Sequence, residues 1–264
     1  MTGPAPAKIN LALVVGPLRA DGKHELATVY QRVDLGDRIT VEPAEETTVT
    51  GFAADTIVRA ALDALDAPHG WRVRIEKHTP VAAGLGGGSS DAASALRLAN
   101  VQLDEPRELH PIAANLGSDV PFFLADGPQL GTCDGTALEA LDLPQDFVVL
   151  LVLPQGDEKH STRAVYARFD ERDGATGYEE RLAALRAALA AVRRPRDLAA
   201  LPPNDLASSP IADELLAHGA FRADVSGAGP TVYGLFHRRA EAREAAAAVR
   251  PRGKTWITVP TWYG

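Results

Sequence analysis

Gly84-Leu85-Gly86-Gly87-Gly88-Ser89-Ser90-Asp91-Ala92-Ala93 is the stretch on which the reading of this sequence turns. Glycine tolerates positive φ and lets a backbone come close to a ligand. Ser89, Ser90 and Asp91 are capping residue types followed by good helix formers, so the stretch predicts a loop feeding a helix that begins at Ser89. Free N–H groups and the positive end of the helix dipole at such a start suit a polyphosphate. A tight turn without a ligand is the plainer reading of any glycine run. Four glycines in five positions ahead of two serines weigh against it here. Known templates do not fit: no Lys follows Gly88 as a Walker A loop requires, and Ser89 stands where the fingerprint GxGxxG needs its third glycine.

Upstream of the loop, Trp71 to Glu76 alternate as a strand, and residues 55–66 space Ile57, Ala61, Leu62 and Leu65 as a helix. Residues 28–43 read as a hairpin, with Gly36-Asp37 as the turn between Tyr30–Val33 and Arg38–Glu42. Residues 8–15 alternate and then run apolar, the pattern of a strand with one face buried and a covered end. Downstream, the pattern restarts past Pro144 with Phe147–Leu153, a buried strand that Pro154-Gln155-Gly156-Asp157 ends. Residues 179–193 set Leu182, Leu185, Leu189 and Val192 on one helical face, and Pro195, Pro202 and Pro203 break this helix and the loop after it. A second glycine cluster, Ser226-Gly227-Ala228-Gly229-Pro230, leads into a strand over 231–236 and a helix over 240–249. A boundary near 144 divides the chain into a lobe of residues 1–143 and one of 144–264, with the final strand free to return to the first lobe. No repeat of 20–50 residues is visible.

A length of 264 residues exceeds one small compact unit and suits two lobes around a shared core. Apolar residues at 45% and charged residues at 23% are ordinary for a globular chain, which excludes bulk disorder. A net charge of −8 repels polyanions, so nucleic acid is not an expected partner. The single cysteine, Cys133, excludes an internal disulfide and a multi-cysteine zinc cage. No HxxH or HExxH spacing occurs among the seven histidines, so no protein-bound transition metal is expected. The N-terminus lacks the apolar stretch of a secretory signal, and Phe147–Leu153, the longest strongly apolar run, falls far short of the ~20 residues that span a bilayer. A cytoplasmic chain that works away from membranes is the expectation.

Pro80-Val-Ala-Ala-Gly-Leu-Gly-Gly-Gly-Ser-Ser-Asp-Ala-Ala93 resembles the phosphate-binding motif of the GHMP kinase superfamily. The resemblance implies an α+β, two-lobed fold with a ribosomal-protein-S5-like N-terminal lobe that binds ATP and an α/β C-terminal lobe on the substrate side. It assigns Pro80, Gly84, Leu85, Gly86, Gly87, Gly88, Ser89 and Ser90 to ATP, with Mg²⁺ carried on the nucleotide. The triple glycine followed by Ser-Ser-Asp-Ala-Ala is similar to the branch that phosphorylates the 2-hydroxyl of a cytidine-diphosphate-linked methylerythritol on the non-mevalonate route to isoprenoid precursors. Ala5-Pro-Ala-Lys-Ile-Asn-Leu11, Leu116-Gly-Ser-Asp-Val-Pro-Phe-Phe-Leu124 and Ser226-Gly-Ala-Gly-Pro-Thr231 resemble three further motifs of that branch in the same order, and Asn204-Asp205-Leu206 a shorter one. Taken alone, Asp119 is most simply a turn or helix-cap residue and Lys8 a solvated lysine. The resemblance makes Asp119 the group that accepts or orients the substrate hydroxyl proton, and Lys8 the cation that keeps it ionised and offsets developing negative charge.

The substrate side departs from the pattern. The family segment Asp-Gly-Tyr/Phe-His-Glu-Leu, whose aromatic residue stacks on cytosine, reads Asp21-Gly22-Lys23-His24-Glu25-Leu26 here. Lys23 removes one stacking face, while its ammonium can pair with a phosphate or sit over the base. His160-Ser-Thr-Arg-Ala-Val-Tyr166 resembles the segment that supplies a second aromatic, making it Tyr166. By the same resemblance His24 and Asn10 hydrogen-bond the base and substrate, and Gly227 and Gly229 lie against the substrate phosphates or the site floor. Two other readings stay open: a related kinase for mevalonate, homoserine or a sugar, whose usual Gly-Leu-Gly-Ser-Ser differs from the triple glycine, and a nucleotide-binding protein without activity, which would not need both Lys8 and Asp119. The implied partners are ATP and a small alcohol, acting on a monomer or homodimer.

Overall fold

The computed structural model describes residues 1–52, 57–155 and 161–261. The expected helix start at residue 55, the strand-ending Gly156-Asp157 and His160 lie outside the described residues. Strands β1 (Thr2–Leu18) and β2 (His24–Ala44) pair antiparallel from Leu18↔His24 to Thr2↔Thr40. Strand alternation sends Ile9 and Leu11 of β1 into the core and Lys8 and Asn10 to the opposite face.

The hairpin read into residues 28–43 is not formed, because β2 runs straight through Gly36-Asp37. The glycine serves close approach and not reversal: a Cβ on Gly36 would lie 2.7 Å from Ala5 O and Pro6 Cα, beside a bulge where Pro6 pairs with Gly36 but Ala7 with Val33. Asp37 turns inward and accepts the Thr79 N–H (2.7 Å) and the Lys77 ammonium (2.8 Å).

Strands β3 (Thr48–Thr50), β4 (Gly70–Glu76), β5 (Gln129–Thr132) and β6 (Ala137–Ala140) complete a sheet in the order β3-β4-β2-β5-β6, with β1 also on β2. Helices α1 (Ile57–Asp63), α2 (Gly87–Asn100), α3 (Leu109–Leu116) and α4 (Val120–Leu124) bury Val58, Leu62, Ala92, Leu96, Ala113 and Phe122 with Ile39, Val41 and Val73 of that sheet. Alanines along α2 let it lie close to its neighbours.

The helix α2 begins at Gly87, two residues earlier than expected. Gly86 takes the left-handed conformation at the N-cap (φ 67°), and the Ser90 N–H bonds its carbonyl at 2.9 Å. Ser89 and Ser90 therefore lie inside the first turn and do not cap it. A glycine can reverse the chain into the helix without a side-chain cap, which capping statistics for serine do not foresee.

A second sheet, in the order β10-β7-β9-β8, joins β7 (Val148–Pro154), β8 (Arg222–Val225), β9 (Val232–Phe236) and β10 (Gly253–Thr258) antiparallel. Of the remaining helices, α5 (Thr162–Glu171) and α6 (Tyr178–Ala191) sit toward β1, while α7 (Pro210–Ala217) and α8 (Arg239–Val249) cover the second sheet. One apolar cluster spans both sheets, combining Ile9, Leu11 and Val29 with Val149, Leu151, Leu185 of α6, and Leu235. After β10 the chain reaches the first sheet: Val33 bridges Pro260, and the Thr261 N–H donates to Arg32 O at 3.1 Å. No helix among the described residues is long and apolar enough to cross a membrane.

Candidate active site

Both halves of the chain line a cavity of about 1040 Å³. At its floor the Lys8 ammonium lies 3.4 Å from Asp119 Oδ2 and donates to Asn10 Oδ1 at 2.6 Å. Asn10 is oriented in turn, since its Nδ2 donates to Thr28 Oγ1 (2.7 Å) and that hydroxyl donates to Ala12 O (2.9 Å). Asn10 thus aims its oxygen at Lys8, and its amide has at most one proton left for a ligand. Lys8 is only 4% exposed, while the Asp119 side chain is 30% exposed and open to the cavity. Asp119 occupies the N-cap position of α4, yet its carboxylate bonds no backbone N–H of that helix. The capping role that residue context suggests is therefore not what this carboxylate does.

The two glycine clusters pack back to back above this pair. A Cβ on Gly84 (φ +78°) would fall 2.3 Å from Ser226 O, so only glycine lets the loops meet there. Ser226 Oγ stitches them to β1, accepting from the Asn10 N–H (3.3 Å) and donating to Gly84 O (2.9 Å). Asn204, from the short segment 204–206, holds the second loop by donating to Val225 O (2.9 Å) and Gly227 O (2.7 Å). Gly84, Gly86, Ser89, Gly227 and Gly229 face the cavity. Leu85 is buried in the core, with its carbonyl accepting the Lys8 N–H at 2.9 Å. Gly87, Gly88 and Ser89 lie within the first turn, where helical N–H groups have no acceptor inside the helix. Pro80, Gly87, Gly88 and Ser90 are not among the residues that line the cavity, and Ser90 Oγ is buried without a partner among the described residues.

Asp91, beside the loop, pairs with Lys77 at 2.5 Å, and Lys77 also pairs with Asp37. Burial pushes the Asp91 carboxyl up to about 8 against the pull of Lys77. Lys77, despite its own desolvation, is held above the ordinary lysine range by the two carboxylates.

At the rim, the His24 Nδ1–H donates to Gly16 O at 2.8 Å, and its ring lies 5.1 Å from that of Tyr166 and edge-on to Phe169. Burial, then Asp119, raise the Tyr166 phenol to about 12, so it remains a neutral donor. Lys23 reaches across to Asp134 at 2.6 Å. Burial alone would raise the Asp134 carboxyl, but hydrogen bonds from Lys23 and Thr136 hold it down at about 2. Lys23, His24 and Tyr166 are thus gathered at one mouth, 143 positions apart in sequence at the extremes, with Lys23 tied to a carboxylate and not lying free.

A cradle of backbone N–H groups, a lysine beside a carboxylate and an aromatic-lined mouth are the parts of a small-molecule kinase. Family models agree. Residues 52–127 match the GHMP kinases N terminal domain and 181–255 the GHMP kinases C terminal domain. A 4-diphosphocytidyl-2-C-methyl-D-erythritol kinase of Anaeromyxobacter dehalogenans (strain 2CP-C) is 39% identical over 95% of this chain and 85% of its own. The enzyme of that name from Thermobifida fusca (strain YX) is 38% identical over 96% and 92%. The chain belongs to the 4-diphosphocytidyl-2-C-methyl-D-erythritol kinase family of GHMP kinases. A crystal structure of a 4-(cytidine 5'-diphospho)-2C-methyl-D-erythritol kinase superposes with a TM-score of 0.79 at 32% identity, covering 98% of this chain and 99% of that one. A mevalonate kinase structure with a TM-score of 0.70 at 13% identity shares the GHMP fold.

Several residues around this GHMP kinase site escape the sequence reading. Thr28, Tyr30 and Arg32 share one face of β2, a grouping that the hairpin reading obscures although alternation along an unbroken strand would show it. Asp134 and Ser118 at the mouth carry no local signal, since only the fold brings Asp134 across from Lys23.

Proposed function

We propose that the chain transfers the γ-phosphoryl group of ATP to the 2-hydroxyl of 4-diphosphocytidyl-2-C-methyl-D-erythritol, on the non-mevalonate route to isoprenoid precursors. The observation that carries this reading is the Lys8–Asp119 pair set beneath the glycine loops and open to a mouth lined by His24 and Tyr166. The relatives' names supply the substrate.

In this reading the N–H groups at the start of α2 and the glycines of the 84–88 loop hold the triphosphate. Mg²⁺ bound with ATP neutralises charge on the phosphates. Its ligands would be phosphate oxygens and the hydroxyl of Ser89, the serine of the first turn of α2 that faces the cavity. Asp119 accepts or orients the 2-hydroxyl proton as that oxygen attacks the γ-phosphorus and the bond to ADP breaks. Lys8, aimed by Asn10, offsets the charge that gathers on the transferring group. His24 and Tyr166 receive the cytosine, while Gly227 and Gly229 lie against the substrate diphosphate. We read the chain as a cytoplasmic monomer or homodimer with ATP and this alcohol as its partners, a reading with which the net charge of −8 accords because it disfavours nucleic acid.

ADP release across a panel of the diphosphocytidyl substrate, mevalonate, homoserine and galactose tests it. Turnover should be confined to the first. Faster turnover of another alcohol would replace this substrate, and no turnover of any would remove the kinase reading.

A further inference from the structure

We infer that Arg32 is a positioning residue for Asp119: from the buried face of β2 its guanidinium grips the C-terminal carbonyls of α4 and fixes the short helix whose leading residue carries the catalytic carboxylate. The inference rests on the proposed role of Asp119. Arg32 is 0% exposed, and its Nη2 donates to Phe122 O at 2.7 Å and Ala125 O at 2.5 Å. Arg97 of α2 donates to Leu124 O at 2.8 Å. Three carbonyls at one end of α4 are thus held by two arginines, one from the sheet and one from the helix that starts at the phosphate loop.

The other end of α4 is Asp119. A helix of five residues has no stability of its own, so its direction is set by whatever holds its ends. Tyr30, two residues before Arg32 on the same face of β2, stacks on Phe122 with ring centres 4.7 Å apart, and Arg32 Cζ lies 4.8 Å from that ring. The Tyr30 phenol lies beside Asp119, and burial followed by that carboxylate raises its ionisation well above the ordinary range, keeping it a donor. Tyr30 and Arg32 therefore hold the front and back of one helix through the Phe122 ring.

Stability alone does not account for Arg32. Its Nε and Nη1 have no partner among the described residues, and its charge forms no ion pair there. Burial lowers its pKa to about 10, the main cause, with Arg97 adding repulsion and Asp126 opposing it. A methionine would fill the same space without a desolvated charge. What methionine lacks is the planar donor that bridges two carbonyls. Misplacement of a reacting group by about 1 Å can cost on the order of 10²-fold in rate, so the loss of this grip should be felt at Lys8–Asp119.

The test compares the full-length wild type with Arg32→Met and Arg32→Lys. Steady-state ADP release with the diphosphocytidyl substrate gives kcat and both KM values, and hydrogen exchange follows the amides of residues 117–126. Arg32→Met should lower kcat by roughly 10- to 100-fold while both KM values stay within about twofold, and Arg32→Lys should recover part of the loss. The Val120 and Ala125 amides should exchange on the order of 10-fold faster, with mid-α2 amides unchanged. A folded Arg32→Met with wild-type kcat, or one whose loss falls in KM with unchanged exchange, overturns the inference. If Arg32→Met does not fold, Arg32→Lys decides alone, and wild-type behaviour in both readouts overturns it. A wild type that releases no ADP with this substrate removes the proposed function instead, and the exchange comparison then decides whether Arg32 holds α4.

Discussion

Where the two glycine loops meet, the cavity is lined mostly by backbone, and at the rim it is lined by side chains. Gly84 and Gly227 have positive φ and lie where a Cβ would meet the neighbouring loop or Asn10. Their chemistry is fixed by geometry that only glycine permits. Lys23, His24, Tyr166 and Asp134 instead present the ends of side chains carried by two turns, the start of β2 and α5. The difference sets Lys23, where the sequence departs from the motif it resembles, on the rim and not in the loops. It also sorts expected mutational effects: the floor should govern kcat and ATP, the rim only the alcohol.

The floor should break first. Asp119→Asn keeps the shape and the N-cap position but removes the charge that faces Lys8 at 3.4 Å. Turnover should fall by about 10²-fold or more with ATP binding near normal, as single-turnover kinetics and nucleotide titration would show. Unchanged turnover would mean that the pair is only structural.

The glycine loop comes next, and here the structure separates two neighbours. Gly86 has φ +67° and a Cβ there would approach Lys8 Cγ and the Phe123 ring to 3.0 Å. Gly87 has ordinary helical φ, and its Cβ would press Thr79 and the Lys77 ammonium at 3.0 and 3.2 Å. Gly86→Ala should therefore raise the ATP KM and lower kcat together, at a backbone cost of about 1–2 kcal/mol from the left-handed conformation alone. Gly87→Ala should raise only the ATP KM, by less. Equal effects on the alcohol would blur the division between floor and rim.

Tyr166→Ala tests the rim from the other direction. Base stacking on an aromatic is worth about 1–3 kcal/mol, so the cytidyl ligand should weaken about tenfold while an ATP analogue binds as before. Isothermal titration of CDP and the ATP analogue measures both. A shift in ATP affinity of the same size would show that the two regions are not separable.

Legibility in the sequence divides the same way. Strands with alternating burial, such as Trp71–Glu76, and the amphipathic 179–193 helix are written in local periodicity and are found where expected, at Gly70–Glu76 and Tyr178–Ala191. Glycine is harder to read, because the residue signals close approach as well as reversal. At Gly36 it signals approach to Ala5, and the expected hairpin is one strand; at Gly86 it supplies the helix cap expected of Ser89. The glycine loops and the Lys8–Asp119 pair are reachable through ordered motifs. Partners such as Asp134 for Lys23 are not, since 111 positions separate them and neither flanking segment has a pattern that points to the other.

The smallest expected effect, and the sharpest for the rim, is that of Lys23→Tyr. The Lys23 side chain is about half exposed, and ion pairs of that kind contribute about 0–1 kcal/mol, whereas a restored stacking face offers about 1–3 kcal/mol. The cytidyl ligand should therefore bind equally or up to several-fold more tightly, with ATP unaffected. The carboxyl left behind provides a second check. Asp134 is held at about 2, below its unfolded value near ~3.9, so its contribution to stability is present above pH ~4 and lost as pH falls through about 2. Removing Lys23 takes away one of the hydrogen bonds that hold it down, so the Asp134 pKa should rise and the variant should lose less stability than the wild type between pH ~4 and pH ~2. Urea midpoints across that range, beside CDP titrations, read both effects. Weaker cytidyl binding in Lys23→Tyr would mean that the ammonium itself contacts the ligand, and that the rim recognises charge and not a stacked ring.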